Sequence, residues 1–446
     1  MSVPDGTSPR RRWIALAVAT LPILVLTLTP GATFSGEPIS VWCIVCGWRG
    51  VSDALLNVVL FVPFGLVVGA LGLRARTALL VGFAFSVGIE LTQFLIPNRY
   101  PGLGDVVYNG AGAALGVILY TFRGRMLAPA GPAQGRRRTW AWGTVGLLGL
   151  ALQGWLLAPA IPERDHRLDW TPPSKWGLRY EGQVLRFSVG GEALSPGPVS
   201  RSAAFIDELR RGTKIELLVQ AAPYPAGIAP LVLLTDEAEH EDFLIGLDNQ
   251  DIIIQYRTRG MALHLDRPLV RWRRGATRWG TGDTITLSVE GIAGGLSIAQ
   301  RGGTAAPEYP EPHRDSVELR VPTGRGWGFL MYPRFVARRS STGLDWLWML
   351  LLAFPLGVWG AGRAAVACGL AWVGALLTLP LVFPLLGPSL AGAFGVAAGV
   401  PLGLLARFVY GNPEPFKWWK PLHTIFDPDL AGLGSDDEQS ESGEIT

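Results

Sequence analysis

The chain has 446 residues, of which 49% are hydrophobic and only 17% charged, and its mean hydropathy is positive. A length that would make about three soluble domains at roughly 150 residues each therefore belongs instead to a membrane protein. The net charge of +3 is small and concentrated in short arginine-bearing segments, so it calls for no nucleic-acid partner.

In chain order, apolar runs of about 20 residues predict transmembrane helices at 13–30, 53–73, 77–97, 105–122, 140–161, 344–360, 364–386 and 390–409, eight spans in all. The first run follows Arg10, Arg11 and Arg12 but lacks a convincing small-residue cleavage site, and reads as an uncleaved helix rather than a signal peptide. Short cytoplasmic loops are enriched in Lys and Arg. Those three arginines, then Arg74 and Arg76, the cluster from Arg123 to Arg138, and Arg363 all fall on one side when spans are counted. The expectation is a bacterial inner-membrane protein with both termini cytoplasmic and the long segment between the fifth and sixth spans extracytoplasmic.

That long segment changes period. Short alternating stretches at 183–189, 214–219, 231–235, 243–247, 252–257, 284–289, 296–300 and 316–321 are bounded by Gly, Pro and Asp, a strand pattern. Asp248, Asn249 and Gln250 supply turn chemistry for a hairpin over 243–257. Eight or so strands predict an all-β sandwich or jelly roll. In the last span Gly395, Gly399 and Gly403 recur on one helix face, which permits close helix packing. The tail is rich in Ser, Glu, Asp and Gly and is expected to be disordered. The fold class expected is thus an α-helical multi-pass membrane bundle with an inserted all-β jelly-roll domain. Its divisions are 1–161, a membrane domain of five helices; 162–343, the extracytoplasmic β domain; 344–410, three further spans; and 411–446, a cytoplasmic acidic tail.

A few polar residues interrupt the first spans: Asp53, Asn57, Glu90, Gln93, Arg99, Asp105 and Asn109. An ionisable group at the bilayer centre costs about 3 kcal/mol on insertion scales, so such groups face the bundle interior and mark sites or buried pairs. At 1.5 Å of rise per residue all seven fall towards the extracytoplasmic end, with Asn57 one turn below Asp53, and Asn109 one turn below Asp105. Helix N-capping would account for Asp53 and Asp105, and interhelical hydrogen bonds for the asparagines. Neither explains Glu90 in mid-helix, although a loop folding back would let Arg99 pair with it.

The order Asp53-x3-Asn57-x3-Phe61-x-Pro63-x-Gly65, Glu90-x2-Gln93, Arg99, Asp105-x3-Asn109-x2-Gly112-x3-Gly116, preceded by Cys46-Gly47, resembles the VanZ-like family of bacterial membrane proteins over residues 42–120. The family is named for a protein associated with teicoplanin resistance and has no securely assigned reaction, so the resemblance implies a site location and a link to glycopeptide resistance, not a mechanism. More faintly, the β domain resembles concanavalin-like or laminin-G-like jelly rolls, which often bind carbohydrate.

Cys43 and Cys46 are expected to form a small disulfide or two packed thiols, because a zinc site needs further ligands and His166, His240, His264, His313 and His423 are scattered. Asp236, Asp248 and Asp251 lack calcium-ligand spacing and read as turn residues. There is no P-loop, G-x-S-x-G elbow or H-E-x-x-H. No metal or other cofactor is expected. The partners implied are membrane lipids and a lipid-linked cell-wall precursor or glycan, held by the seven polar residues; the alternative is a membrane enzyme using Glu90 or Asp105 as acid or base on such a lipid.

Overall fold

The structure is a computed structural model that describes residues 9–30, 40–47, 49–97, 99–127, 131–161, 165–172, 178–199, 211, 213–237, 239–292, 295–303, 315–330, 341–360, 362–383 and 386–411. The acidic tail expected to be disordered, from 412 onward, lies outside the described residues, as does His313.

The helices are α1 (Pro9–Leu28), α2 (Gly50–Ala70), α3 (Ala75–Gln93), α4 (Leu103–Leu127), α5 (Pro132–Leu157), α6 (Thr342–Trp359), α7 (Arg363–Thr378) and α8 (Leu390–Gly411). Among the described residues seven, α2 to α8, are long and apolar enough to cross a membrane. The expected eighth is corrected: the apolar part of α1 is only Trp13–Leu28, because its first turn is taken by arginines. Large side chains such as Leu80, Leu91, Leu148, Leu370 and Phe394 point outward and exposed, which water would penalise and lipid would not. The protein is therefore a multi-pass helical membrane region joined to a separate β-sheet-rich region.

Two boundaries differ from expectation because of proline. The run 364–386 is not one helix: α7 stops at Thr378, Leu379–Leu381 make a 3-10 turn around Pro380, and Leu386–Gly387 form a strand. Pro132, pre-set for the first helical turn, starts α5 early enough to take Arg136, Arg137 and Arg138 into the helix.

Glycine governs how the helices pack. A Cβ at Gly65 would lie 2.1 Å from the Ala113 carbonyl oxygen, one at Gly112 2.3 Å from that of Val58, and one at Gly116 2.3 Å from that of Val62. Backbones of α2 and α4 thus touch, as small residues allow in membrane bundles. Gly395, Gly399 and Gly403 do pack closely: their Cβ positions would meet the carbonyls of Trp346, Leu350 and Phe354 on α6.

The β region holds two six-stranded sheets. One has the order β4 (Gly197–Val199), β1 (His166–Trp170), β6 (Ile228–Asp236), β7 (Glu241–Asp248), β8 (Asp251–Tyr256), β9 (Leu269–Trp272); the other β12 (Ser316–Leu319), β11 (Gly295–Arg301), β10 (Thr284–Ile292), β5 (Ile215–Gln220), β2 (Gln183–Val189), β3 (Glu192–Ala193). The strand pairs within both are antiparallel. Leu231, Phe243 and Ile254 from the first share one hydrophobic core with Phe187, Leu217, Ile285 and Ile298 from the second. The hairpin over β7 and β8 turns at Asn249, whose φ of 60° is a left-handed conformation asparagine tolerates. Strands β1 and β9, too short to stand out by alternation, complete the first sheet with β4.

The β region is bonded to the helix ends. Asp345 at the start of α6 accepts from the Trp327 indole at 2.7 Å and from Arg325 at 3.1 and 3.2 Å. Strand β13 (Val321–Pro322) pairs in parallel with β14 (Leu386–Gly387), just ahead of α8. The Thr323 hydroxyl donates to the Leu376 carbonyl on α7.

The glycine contacts predict a contrast. Gly116→Leu should force α2 and α4 apart and destabilise the protein by about 1–3 kcal/mol or more, seen as a lowered melting temperature in detergent. Gly88→Ala, where a Cβ meets nothing within 4 Å, should be neutral or stabilising by up to ~1 kcal/mol.

Candidate functional site

The polar residues gather where the N-termini of α2 and α4 meet the C-terminal ends of α1 and α3. A helix start leaves backbone N–H groups without intrahelical partners, and in an apolar setting each must be satisfied. At α4 the Leu103 N–H donates to the Val41 carbonyl at 2.8 Å and the Gly104 N–H to that of Cys43 at 3.3 Å. The N–H of Gly102, just before them, donates to Glu90 Oε2 at 2.8 Å. The glutamate expected in mid-helix is corrected: α3 ends at Gln93, so Glu90 lies in its last turn and reaches across to the start of α4.

The capping segment is the cysteine loop. Cys43 and Cys46 are joined as a disulfide, with Cα atoms 5.7 Å apart, and Gly104 lets the loop come close, since a Cβ there would lie 2.3 Å from the Ile44 carbonyl oxygen. The expected capping by Asp53 itself is corrected. The N-cap of α2 is Arg49, without a side-chain cap bond, and Asp53 sits in the first turn, half-exposed and 3.6 Å from the Arg49 guanidinium.

The amides cross between helices. The Asn57 amide on α2 donates to Asp105 Oδ1 on α4 at 2.5 Å; the Asn109 amide on α4 donates to the Ser86 hydroxyl on α3 at 2.8 Å. Asn109 is buried, and its Oδ1 has no hydrogen-bond partner. Gln93 donates to the Thr27 carbonyl at 3.0 Å. The suggested Glu90–Arg99 pair is corrected: Arg99 donates to the Thr29 and Leu26 carbonyls at 2.8 and 2.7 Å, the C-terminal end of α1, where a cation also meets the negative end of the helix dipole. Asp105 remains within electrostatic reach of Asp53, Glu90 and Arg99. All seven residues therefore lie at one end of α1–α4: Asn57, Asp53, Glu90 and Arg99 surround Asp105, while Asn109 turns to Ser86 and Gln93 to α1.

Three residues at this end were not singled out by the sequence. Ser86 is a small polar residue inside an apolar run, one turn before Glu90. Arg49 stands four residues ahead of Asp53, the spacing of a helical ion pair. Asp266 comes from the β region: its carboxylate pairs with Arg49 at 3.1 Å, and its N–H donates to the Ser52 hydroxyl at 2.7 Å, while that hydroxyl donates to the Phe329 carbonyl. Arg49 thus stands between an acid of the helical region and an acid of the β region.

Comparison with known proteins reaches the first four helices. Residues 10–124 match the VanZ/LLP1 family model. The match takes in α1, which the resemblance over 42–120 did not, and whose terminal carbonyls receive Gln93 and Arg99. No curated protein and no solved structure matches the chain. The β region lies wholly outside the VanZ/LLP1 segment.

The set can accept hydrogen bonds from hydroxyl and amide donors through three carboxylates, and it carries guanidinium charge at its edge; the unpaired Asn109 oxygen lies buried beneath them. Among the described residues no group of three His, Cys, Asp or Glu side chains could hold a metal ion. At the far tip of the β region, Asp248, Asn249, Gln250, Asp251, Arg271, Arg273 and Arg274 line an open cleft of about 600 Å³. There Arg271 pairs with Asp248 at 2.6 Å and Asp251 at 2.5 Å.

Burial pushes the Asp266 carboxyl up to about 6, against the opposing pull of Arg49. A carboxyl whose folded pKa lies above its unfolded value of 3.8 favours the folded state most when protonated. Its contribution is therefore full below about pH 4 and lost as pH rises through about 6, a change on the order of 3 kcal/mol. Asp266→Asn should match wild type in melting temperature near pH 4 and exceed it progressively up to pH 7; a difference that does not vary with pH refutes this.

Proposed function

We propose that the chain is a cell-envelope membrane protein whose polar cluster holds the headgroup or glycan part of a lipid-linked cell-wall component, and that it bears on the response to glycopeptides such as teicoplanin. The observation that carries the reading is the convergence of Asp53, Glu90 and Asp105, from three separate helices, at one end of the VanZ/LLP1 segment. Carboxylates and amides suit sugar hydroxyls; the Arg99 fork expected for a phosphate is occupied by the Thr29 and Leu26 carbonyls, and Arg49 by Asp53 and Asp266. Because the same helix ends carry the β region, the cluster opens towards the outer leaflet if the arginine-bearing loops face the cytoplasm, as the positive-inside rule prescribes.

In this reading the two sheets form a sandwich of the jelly-roll kind. The cleft at Asp248–Asp251 and Arg271–Arg274 gives it a second contact for the same glycan, since paired Asp and Arg side chains present donors and acceptors together. Fold likeness alone would be a weak warrant for carbohydrate binding; the polar cleft adds chemistry to it.

In a strain lacking the protein, wild type should restore survival on teicoplanin and Glu90→Gln should not, at equal membrane abundance. Full rescue by Glu90→Gln and by Asp105→Ala refutes the reading. Incubation of purified protein with lipid-linked precursors should give retention without any mass change of the lipid; turnover would replace binding with catalysis by Glu90 or Asp105.

A further inference from the structure

The last three helices repeat the pattern of the second, third and fourth. In α2 the sequence runs Asp53-x9-Pro63-x-Gly65; in α6 it runs Asp345-x9-Pro355-x-Gly357. In α4, Leu103, Ala111, Gly112, Leu115 and Gly116 recur at the same intervals in α8 as Leu390, Ala398, Gly399, Leu402 and Gly403. The three-dimensional contacts keep this register. A Cβ on Gly65 would meet the carbonyl of Ala113 at 2.1 Å and Cα of Gly116 at 2.9 Å; one on Gly357 would meet the carbonyl of Val400 at 2.1 Å and Cα of Gly403 at 2.8 Å. Gly112 faces the Val58 carbonyl as Gly399 faces that of Leu350, and Gly116 that of Val62 as Gly403 that of Phe354. In the third helices Gly82 faces Ala113 and Gly369 faces Val400, again equivalent positions. The first helices agree too, since α1 packs on α2 and α3, and α5 on α6 and α7.

This register shows what became of the polar set. Asn57 and Asp105 fall on Met349 and Gly392, which touch: a Cβ on Gly392 would lie 3.2 Å from Met349 Cγ. Ser86 and Asn109 fall on Val373, packed against the apolar core of α5–α8, and on Val396, inside it. Glu90 falls on Leu377. Only Asp53 keeps its acid, as Asp345, and that acid is spent on Arg325 and Trp327 of the β region. The whole β region lies between the first and second helices of the second set. The corresponding connection in the first set holds the disulfide loop. Both connections end in the same way: residues 40–47 bond the start of α4, and β13 pairs with β14 just before α8.

We propose that α5–α8 is a second copy of the α1–α4 unit, running in the same direction, which kept the helix frame, lost the polar set and turned its remaining acid into the seat of the β region. The second copy is then an internal control. The same frame closes on Met, Gly and Val where the first has Asn, Asp and Ser, so the frame does not need those polar groups. The step from there to a binding role for them rests on the proposed function above.

The cysteine pairs Asn57→Cys/Asp105→Cys and Met349→Cys/Gly392→Cys, each in a Cys368→Ser background, test the equivalence. Both should cross-link in most of the protein on mild oxidation; cross-linking of one pair only, or of Met349→Cys a full turn away on α8, overturns it. The four-site variant Asn57→Met, Asp105→Gly, Ser86→Val, Asn109→Val gives the first copy the second copy's residues. It should melt within about 5 °C of wild type and lose teicoplanin rescue. If it does not fold, and neither does Asn57→Met/Asp105→Gly alone, the frame needs its polar groups and the inference fails. If it folds and still rescues, the proposed function fails while the duplication stands. Asp345→Leu should speed proteolytic release of the β region several-fold, with Asn at that position restoring most of the protection; release at the wild-type rate removes the seat.

Discussion

Contact between the backbones of α2 and α4 is the constraint on which the rest of the VanZ/LLP1 segment depends. Gly65, Gly112 and Gly116 allow carbonyl oxygens of one helix to sit where a Cβ of the other would be, 2.1 to 2.3 Å from its built position. In lipid no hydrophobic force pulls two apolar helices together, so association comes from this close packing and from interhelical hydrogen bonds. At such a distance the short Asn57 side chain reaches Asp105 directly. A wider crossing would leave that amide and carboxylate facing each other across hydrocarbon.

The second requirement is that backbone groups at membrane depth find partners within the protein. It explains why a glutamate stands in the last turn of α3. Glu90 satisfies the N–H of Gly102, and the disulfide loop satisfies the next two donors. Arg99 does the converse at the end of α1, where carbonyls are the orphaned groups. Structure and site are therefore built from the same charges. What structure does not consume is an excess of carboxylate around Asp105, and this remainder is the part with chemistry to offer a ligand.

The β region is held at both halves of the helical region, by Asp266 and Ser52 over α2 and by Asp345, Trp327 and β14 over α6–α8. Asp345 is almost wholly buried, and a buried acid is costly unless every lone pair is used; its indole and guanidinium donors supply that. A two-sided attachment fixes the β region relative to the polar cluster, so a ligand contacting Arg49 would also feel Asp266.

The local signals were legible in the sequence. Apolar runs, two-residue alternation, the turn at Asn249 and the glycine spacing on α8 each depend on neighbours a few residues away, and the spacing from Asp53 to Gly116 carried the resemblance that the family match supports. It also placed the polar residues at one end of the helices. Partner choice was not legible. That Glu90 serves Gly102 and not Arg99, that Arg99 closes α1, that Ser86 meets Asn109, and that Asp266 reaches Arg49 from far along the chain are set by how the helices cross and how the β region lands on them. The repeat between α2–α4 and α6–α8 lay in the sequence but became visible only through the contacts, because close packing preserves a few glycine, proline and small or apolar positions while most polar residues between them are free to change.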